Sequence, residues 1–246
     1  MSRYAGWMVT LAGLLAIGAV VALVAAPLGT RAGWWDFRTG FTLLRWAVYL
    51  GGSTIVLALV CGLLARRPWA AVLAVVVAGT VVTVPLLWLR QAGSVPPIHD
   101  ITTDTTDPPA FVAVIPHRKG APNPPEYGGA EVAKQQQAAY PDLRPLVLTV
   151  PPRQAFEAAV AAARAEGWEI VASDIGFGEL GRVEATDTTF WFGFKDDVVV
   201  RIVPHEAGSR IDVRSKSRVG RSDVGTNARR IRSYLALVAE KTRTSS

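Results

Sequence analysis

The sequence has 246 residues, of which 50% are hydrophobic and only 19% are charged, and its formal net charge is +6. This composition excludes a disordered chain and argues against a purely soluble protein. Residues 1–94 hold seven Arg and one Asp, whereas residues 95–246 hold 19 basic and 19 acidic side chains. The excess positive charge therefore belongs to the hydrophobic part. This argues against a nucleic-acid partner, because such a partner needs a basic polar surface.

The chain begins with three long uncharged runs. They have 27, 20 and 22 residues and lie between the arginine pairs Arg3 and Arg31, Arg45 and Arg66, and Arg67 and Arg90. A helix needs roughly 20 apolar residues to cross the hydrocarbon core of a bilayer. The pattern therefore predicts three membrane-spanning helices, at Trp7–Leu28, Arg45–Ala65 and Pro68–Leu89. Six of the eight Trp residues lie at or beside these ends, as in an interfacial aromatic belt.

The first run could instead be a cleaved signal peptide. It is longer than a typical signal-peptide core, and Pro27 directly follows the small residue Ala26, so we expect a retained anchor. The positive-inside count nearly ties the two orientations. The most concentrated charge is the Arg66-Arg67-Pro68 turn, and placing this turn in the cytoplasm puts the residues after 90 outside.

A Pro-rich stretch from Gln91 to about Pro125 follows the spans, and proline disfavours both helices and central strands. We expect an extended arm here, followed by a short strand at Phe111–Ile115 and a helix within Glu126–Ala139. The composition divides the chain into a three-span domain, residues 1–94, and a polar domain, residues 95–246, that begins with this arm.

Clearer periodicities begin after Pro145. Alternating apolar residues predict five strands, at Leu146–Val150, Glu169–Ser173, Leu180–Thr186, Val198–Val203 and Arg210–Ser217. Apolar residues at helical spacing predict a helix that opens at Pro151-Pro152 and a final helix at Asn227–Lys241. The last two strands form a predicted hairpin around Glu206–Ser209. The resulting order, β-α-β-β-β-β-α, favours an α+β domain in which helices pack on one face of an antiparallel sheet.

Three long strings carry a family resemblance: Asp100–Phe111, Tyr140–Pro145 and Asp212–Ile231. Together with Phe192–Arg201 they resemble the bacterial and plastid family called domain of unknown function 1499, over roughly residues 98–238. The resemblance implies an extracytoplasmic domain, which favours the periplasm for residues 95–246. It implies no reaction, so the chemistry below is derived from the side chains.

The strongest candidate for a binding site is the basic stretch around the start of the final helix. Arg214, Arg218 and Arg221 precede this helix, whereas Asn227 and Arg230 lie in its first turns. Guanidinium groups bind phosphate or carboxylate through paired donors, and helix starts attract anions. The alternative is a structural network, since residues 201–246 carry a net charge of +7 and residues 95–200 carry −7. In that alternative the arginines pair with carboxylates such as Asp212 and Asp223.

Acidic residues offer a secondary site. Asp100, Asp104 and Asp107 could hold a divalent cation, but they lack the alternate spacing and glycine of a calcium loop, so we expect local turns in a structural arm. The pair Asp196-Asp197 could serve acid-base chemistry, but adjacent residues on a strand point to opposite faces, which argues against a shared site. We expect this pair to lie in a turn next to the start of a strand. The three His residues show no metal-ligand spacing, and we expect no metal and no cofactor.

Aromatic residues alternate over Phe190–Phe194 and could line an apolar pocket, although core packing is the expected role. The sequence therefore predicts a bacterial inner-membrane protein whose periplasmic domain binds an anionic ligand, a lipid headgroup or an envelope partner protein. The alternatives are an envelope hydrolase that uses the Asp and Arg clusters and a structural assembly subunit. A cleft that joins Asp100–Asp107 to Arg214–Arg221 would favour binding or hydrolysis, and an exposed apolar patch would favour assembly.

Overall fold

The computed structural model describes residues 2–64, 68–206 and 208–244. The predicted span end at Ala65, the Arg66-Arg67 part of the turn used for orientation, and Ala207 of the predicted hairpin turn lie outside these residues. The chain forms two units, residues 1–91 with 190–193 and residues 92–189 with 194–246.

Three long helices make up most of the first unit: α1 at Ser2–Arg31, α2 at Phe37–Leu64 and α3 at Pro68–Gly93. Each contains a stretch long and apolar enough to cross a membrane, and together they indicate a membrane-embedded protein. The prediction of three spanning helices is therefore confirmed, although each helix runs a few residues beyond its apolar run.

Small residues let these helices approach one another. Ala19 of α1, Ala47 of α2 and Val81 of α3 form a buried cluster. A methyl group added to Gly51 would lie 2.8 Å from the Val82 side chain, so this position in α2 needs glycine for its contact with α3.

The second unit contains an antiparallel sheet of six strands. The strands are β1 at Asp100–Thr102, β2 at Leu146–Leu148, β3 at Glu169–Ile175, β4 at Gly181–Thr188, β5 at Lys195–His205 and β6 at Gly208–Ser217. They follow the order β1-β6-β5-β4-β3, and β2 also pairs with β6, beside its first residues. β5 and β6 form the predicted hairpin, in which Pro204 is opposite Ser209.

Helices α4 at Gly129–Ala139, α5 at Pro152–Ala165 and α6 at Thr226–Thr244 complete the unit. Apolar side chains of α5 and α6 pack on one face of the sheet. This core includes Ala155, Ala159, Ala163, Ile231, Tyr234 and Val238 from the helices and Val198, Val200, Ile202, Ile211 and Val213 from the strands. Trp168, which follows α5, stacks on Tyr234 at a ring distance of 4.7 Å. The predicted α+β class, with helices on one face of the sheet, is confirmed.

Two predictions of local structure are wrong. Asp100–Thr102 is a strand within the expected arm, because its three residues pair with Arg214–Lys216 of β6. Phe111–Ile115 is not a strand: the Val112 and Val114 N–H groups donate to the Glu184 carboxylate instead of to a neighbouring strand, at 3.0 Å. A 3-10 turn at Ile115–Arg118 follows.

The aromatic run around residue 190 contains both buried and exposed side chains, and Phe192 is only 7% exposed. Phe190 is 81% exposed and Trp191 is 53% exposed, so neither belongs to the core of the sheet. The pair lies in the connection between β4 and β5, where the chain turns.

Candidate functional site

The sheet face opposite α5 and α6 is lined with charged residues. Side chains two residues apart on a strand share a face, and β6 places four charged residues on this one, Arg210, Asp212, Arg214 and Lys216, with Arg218 directly after the strand. Residues 103–127 cover the face without forming a strand. Burying so many charges requires partners for each, because an unpaired charge away from water is costly.

Arg214 and Asp100 form the central ion pair of this face. Arg214 Nε donates to Asp100 Oδ1 at 2.8 Å and Nη2 donates to Oδ2 at 2.9 Å. Lys216 Nζ lies 3.0 Å from the same carboxylate. All three side chains are buried, and burial lowers the pKa of Lys216 while Asp100 opposes that shift. This geometry supports a structural role for Arg214 and Asp100.

A second group of ion pairs forms around Asp197, which is fully buried in β5. Arg218 donates to both carboxylate oxygens, from Nη2 at 2.7 Å and from Nε at 2.9 Å, and Arg118 forms an ion pair with the same group. Thr186 also donates to it, at 2.8 Å. Asp196 and Asp197 both lie within strand β5, so the prediction that they form a turn is wrong. Both carboxylates can be buried because arginines reach the sheet from both faces.

The same cations also bind the covering segment, residues 103–127. This segment has few backbone partners, and cationic side chains donate to its carbonyl oxygens: Arg182 to Ala110, Arg201 to Asp107, Arg214 to Pro109 and Pro125, Lys216 to Glu126 and Arg218 to His117. Buried carbonyl groups need such donors when no strand supplies them. The cations therefore hold an irregular, Pro-rich segment against the sheet.

Asp104 forms a turn at the start of this segment. Its carboxylate accepts the N–H groups of Thr106 at 3.0 Å and Asp107 at 2.9 Å, and Arg210 donates to its other oxygen at 2.6 Å. Burial alone would raise the pKa of Asp104, but these hydrogen bonds lower it overall. Asp107 bonds to Arg201 at 2.7 Å. The acidic series therefore forms turns and ion pairs, and within the described residues no group of His, Cys, Asp or Glu has the arrangement of a metal site.

Asn227 and Arg230 lie on the other side of the sheet, in the first turns of α6. Arg230 donates to Asp187 at 2.6 Å and to Asp196 at 2.7 Å, and these two carboxylates raise its pKa against the lowering effect of burial. Asn227 accepts a hydrogen bond from Ser215 at 2.7 Å. The five predicted anion-binding residues are therefore not brought together in one site.

Arg221 differs from the other four. It lies exposed in the loop before α6, and its side chain has no hydrogen-bond or ion-pair partner among the described residues. Asp212 and Asp223, the expected partners of the arginine stretch, bond to other groups instead. Asp212 bonds to Arg201 and Arg210, whereas Asp223 accepts the N–H groups of Gly225 and Asn227 and so caps α6.

This unit has an open cleft of about 510 Å³ beside β6. It is lined by Thr103–Thr106, by Gln136 and Gln137 of α4, by the Tyr140–Pro145 segment without Asp142, and by Arg210. Tyr140 and Leu143 are mostly buried and give the cleft an apolar part. The cleft includes Asp104 but none of the residues from Arg214 to Arg221, so it does not join the two predicted clusters.

Two guanidinium groups face this cleft. Arg144 is exposed, and its side chain has no bonding partner in the part of the chain that the structure describes. Arg210 uses Nε and Nη2 for Asp104 and Asp212, and no hydrogen bond from its Nη1 is formed within the described residues. Val147 of β2 pairs with Arg210, which brings the segment that carries Arg144 next to β6. The cleft therefore offers guanidinium donors that the protein does not itself use.

Comparison with known proteins assigns the chain to a family. A model described as protein of unknown function (DUF1499) matches residues 100–238. The chain belongs to this family. No curated protein and no solved structure matches it. The predicted resemblance is thus confirmed, and DUF1499 covers the sheet, α4, α5 and most of α6.

The three strings that carried the resemblance have separate places in the DUF1499 fold. Asp100–Phe111 forms β1 and the first part of the covering segment, Tyr140–Pro145 lines the cleft, and Asp212–Ile231 runs from β6 into α6. The first two strings meet at the cleft. Sequence reasoning missed Arg144 and Arg210 as cleft residues and Arg118 as a partner of Asp197. Arg144 lies within the second string, and this position was the sequence feature that could have indicated the cleft.

Proposed function

We propose that this DUF1499 protein is a bacterial inner-membrane protein whose periplasmic domain binds a small ligand through an anionic group, in the cleft beside β6. The observation that carries the proposal is the Arg144 guanidinium, which is exposed in the cleft and has no partner among the described residues. Guanidinium groups bind carboxylate and phosphate with paired hydrogen bonds, so a ligand with either group fits.

The neighbours of Arg144 support an anion over a cation. Asp104 is the carboxylate of the cleft, and its oxygens already accept hydrogen bonds from Arg210 and from the N–H groups of Thr106 and Asp107. An added cation would have to compete with these donors. The apolar side chains of Tyr140 and Leu143 give room for a non-polar part of the same ligand, and the cleft volume lies within the range of small-molecule sites.

The predicted arginine cluster is a weaker candidate for the binding site than the cleft is. Arg214, Arg218 and Arg230 are bonded to carboxylates inside the domain, so an external anion would have to displace buried ion pairs. The hydrolase alternative meets the same obstacle, because Asp100, Asp104 and Asp107 each bond to an arginine. Arg144 has no partner among the described residues and lies in an open cleft, so it is better suited to recognise an external anion than the paired arginines are.

A ligand screen on the full chain in detergent tests the proposal. We expect inorganic phosphate, glycerol phosphate or succinate to raise the thermal unfolding midpoint of the parent protein. Arg144→Ala should keep the parent's unfolding midpoint without ligand and lose the rise with ligand. Arg153→Ala is the matched control, because Arg153 is exposed on α5 and outside the cleft. A rise that Arg144→Ala keeps in full would refute this site.

A further inference from the structure

A second basic surface lies on the same unit, away from the cleft. Lys119, Lys195 and Arg221 are exposed, and none of these side chains has a hydrogen-bond or ion-pair partner among the described residues. We call these three residues the basic rim. No residue of the rim lines the cleft.

Arg218 brings the three segments of the basic rim together. Its backbone N–H donates to the carbonyl of Lys195 at 2.9 Å, and its Nη1 donates to the carbonyl of His117 at 2.7 Å, two residues before Lys119. Arg221 follows three residues later in the same loop. The side chain of Arg218 is held by Asp197, so the position of the rim rests on a buried ion pair.

The positive charge of the basic rim is not offset by the nearest carboxylates along β5. Asp196 and Asp197 follow Lys195 directly, but both are buried and bonded to arginines. Asp223, two residues after Arg221, points its oxygens at the N–H groups of α6. Three unpaired cations on one surface create a positive potential that attracts an anionic surface.

Chain length places the basic rim within reach of a bilayer. The apolar helix α3 ends at Gly93 and β1 begins at Asp100, so only six residues connect them. Six extended residues span about 20 Å at most. The last of them, His99, contacts the Arg221 carbonyl through Nδ1 at 3.3 Å. Arg221 of the rim therefore lies close to the point where the chain enters this unit from a helix that is apolar enough to cross a membrane.

We infer that the basic rim docks on anionic phospholipid headgroups of the bilayer that holds the three helices. Separate, exposed cations outside the cleft suit a charged lipid surface, whose potential acts within a Debye length of about 10 Å. The short connection to a helix that is apolar enough to cross a membrane favours the bilayer over nucleic acid as the occupant. This lipid contact is distinct from the cleft and does not depend on the ligand proposed for it.

Lysine labelling on the full chain in nanodiscs tests the inference. The probe is a water-soluble, amine-reactive ester, and the nanodiscs contain either neutral phosphatidylcholine alone or a mixture with anionic phosphatidylglycerol. In the anionic discs we expect acylation of Lys119 and Lys195 to slow by roughly three-fold or more, and we expect high salt to reverse this protection. Lys134, which is exposed on α4, is the internal control and should react equally in both discs.

Charge reversal supplies the matched variants. Arg221→Glu should reduce the protection of Lys119 and Lys195 in anionic discs, whereas Lys134→Glu should leave it unchanged. Equal acylation rates in the two kinds of disc would overturn the inference, and so would protection that persists in neutral discs or in high salt. Arg144→Ala should keep the protection, so a failure of the cleft proposal and a failure of the rim proposal give different results.

Discussion

Arg214 and Asp100 form a bidentate ion pair that joins the last strand of the sheet to the first, with N–O distances of 2.8 and 2.9 Å. Both side chains are only 2% exposed. The pair links residues 114 positions apart in the sequence and fixes the start of the covering segment, residues 103–127, on the sheet. Its removal should therefore affect stability more than any surface contact does.

We expect Asp100→Ala to lower the free energy of unfolding by about 3–5 kcal/mol, because the variant leaves Arg214 and Lys216 buried without their carboxylate. The measurement is thermal or denaturant unfolding of the full chain in detergent. Asp142→Ala is the control, since Asp142 and Arg232 form an exposed pair, with side chains 56% and 41% exposed. The control should cost about 1 kcal/mol or less. Equal losses in the two variants would contradict a structural role for the buried pair.

Asp223 should make the stability of the domain depend on pH. Burial raises its pKa to about 6, although the N–H groups of Asn227 and Gly225 oppose the rise. A raised carboxyl pKa means that the folded state binds the proton more tightly than the unfolded state does. Its contribution is complete below the unfolded pKa of about 4 and is lost as the pH rises through about 6.

Asp223→Asn removes this titration and keeps a side-chain oxygen for the cap of α6. The free energy of unfolding of the variant minus that of the parent should be larger at about pH 7 than at about pH 4, by up to about 3 kcal/mol. Unfolding midpoints of both proteins across this range provide the measurement. A difference between them that does not change with pH would show that Asp223 titrates normally.

Glu184 should control the order of the covering segment. Its carboxylate is fully buried and accepts the N–H groups of Val112 and Val114 at 3.0 Å. Glu184→Ala should speed hydrogen exchange at these two amides and expose residues 107–118 to limited proteolysis, because the N–H groups lose their acceptor. Amides of α5, on the opposite face of the sheet, serve as the internal control. Unchanged exchange at Val112 would refute this role of Glu184.

The polar domain should fold without the spanning helices. The large apolar core of α5, α6 and the sheet lies entirely within residues 95–246. This fragment, expressed alone, should be soluble and unfold in one cooperative transition. Circular dichroism during heating is the measurement. Aggregation without a cooperative transition would mean that the domain needs the helical segment.

The predicted orientation in the membrane, with residues 95–246 in the periplasm, rests on the three spans and the family resemblance. We expect a reporter that is active only in the periplasm to be active when fused after Ser246, and a reporter active only in the cytoplasm to be silent there. Fusions after Gly33, between the first two helices, should give the same result, because an even number of spans separates the two positions. Activity of the cytoplasmic reporter after Ser246 would reverse the orientation.

The sequence alone determined the helices and most of the sheet, because periodicity is a local property. Uncharged runs predicted α1, α2 and α3, and apolar alternation predicted β2 to β6 within a few residues of their ends. Gly167, just after α5, has a φ of 75°, the left-handed conformation that glycine commonly adopts at the end of a helix. The α+β class followed from the order of these elements.

Only the tertiary structure decided which charges meet. Asp104 bonds to Arg210 across 106 residues and Arg118 bonds to Asp197 across 79 residues, and no local pattern records such pairs. The register of the strands decides which side chains share a face, because a shift of one residue would turn every side chain of a strand to the other face. The sequence therefore showed that acidic and basic side chains are equally abundant in this domain. The register decided that Arg214 is buried in an ion pair and that Arg144 remains open to the cleft.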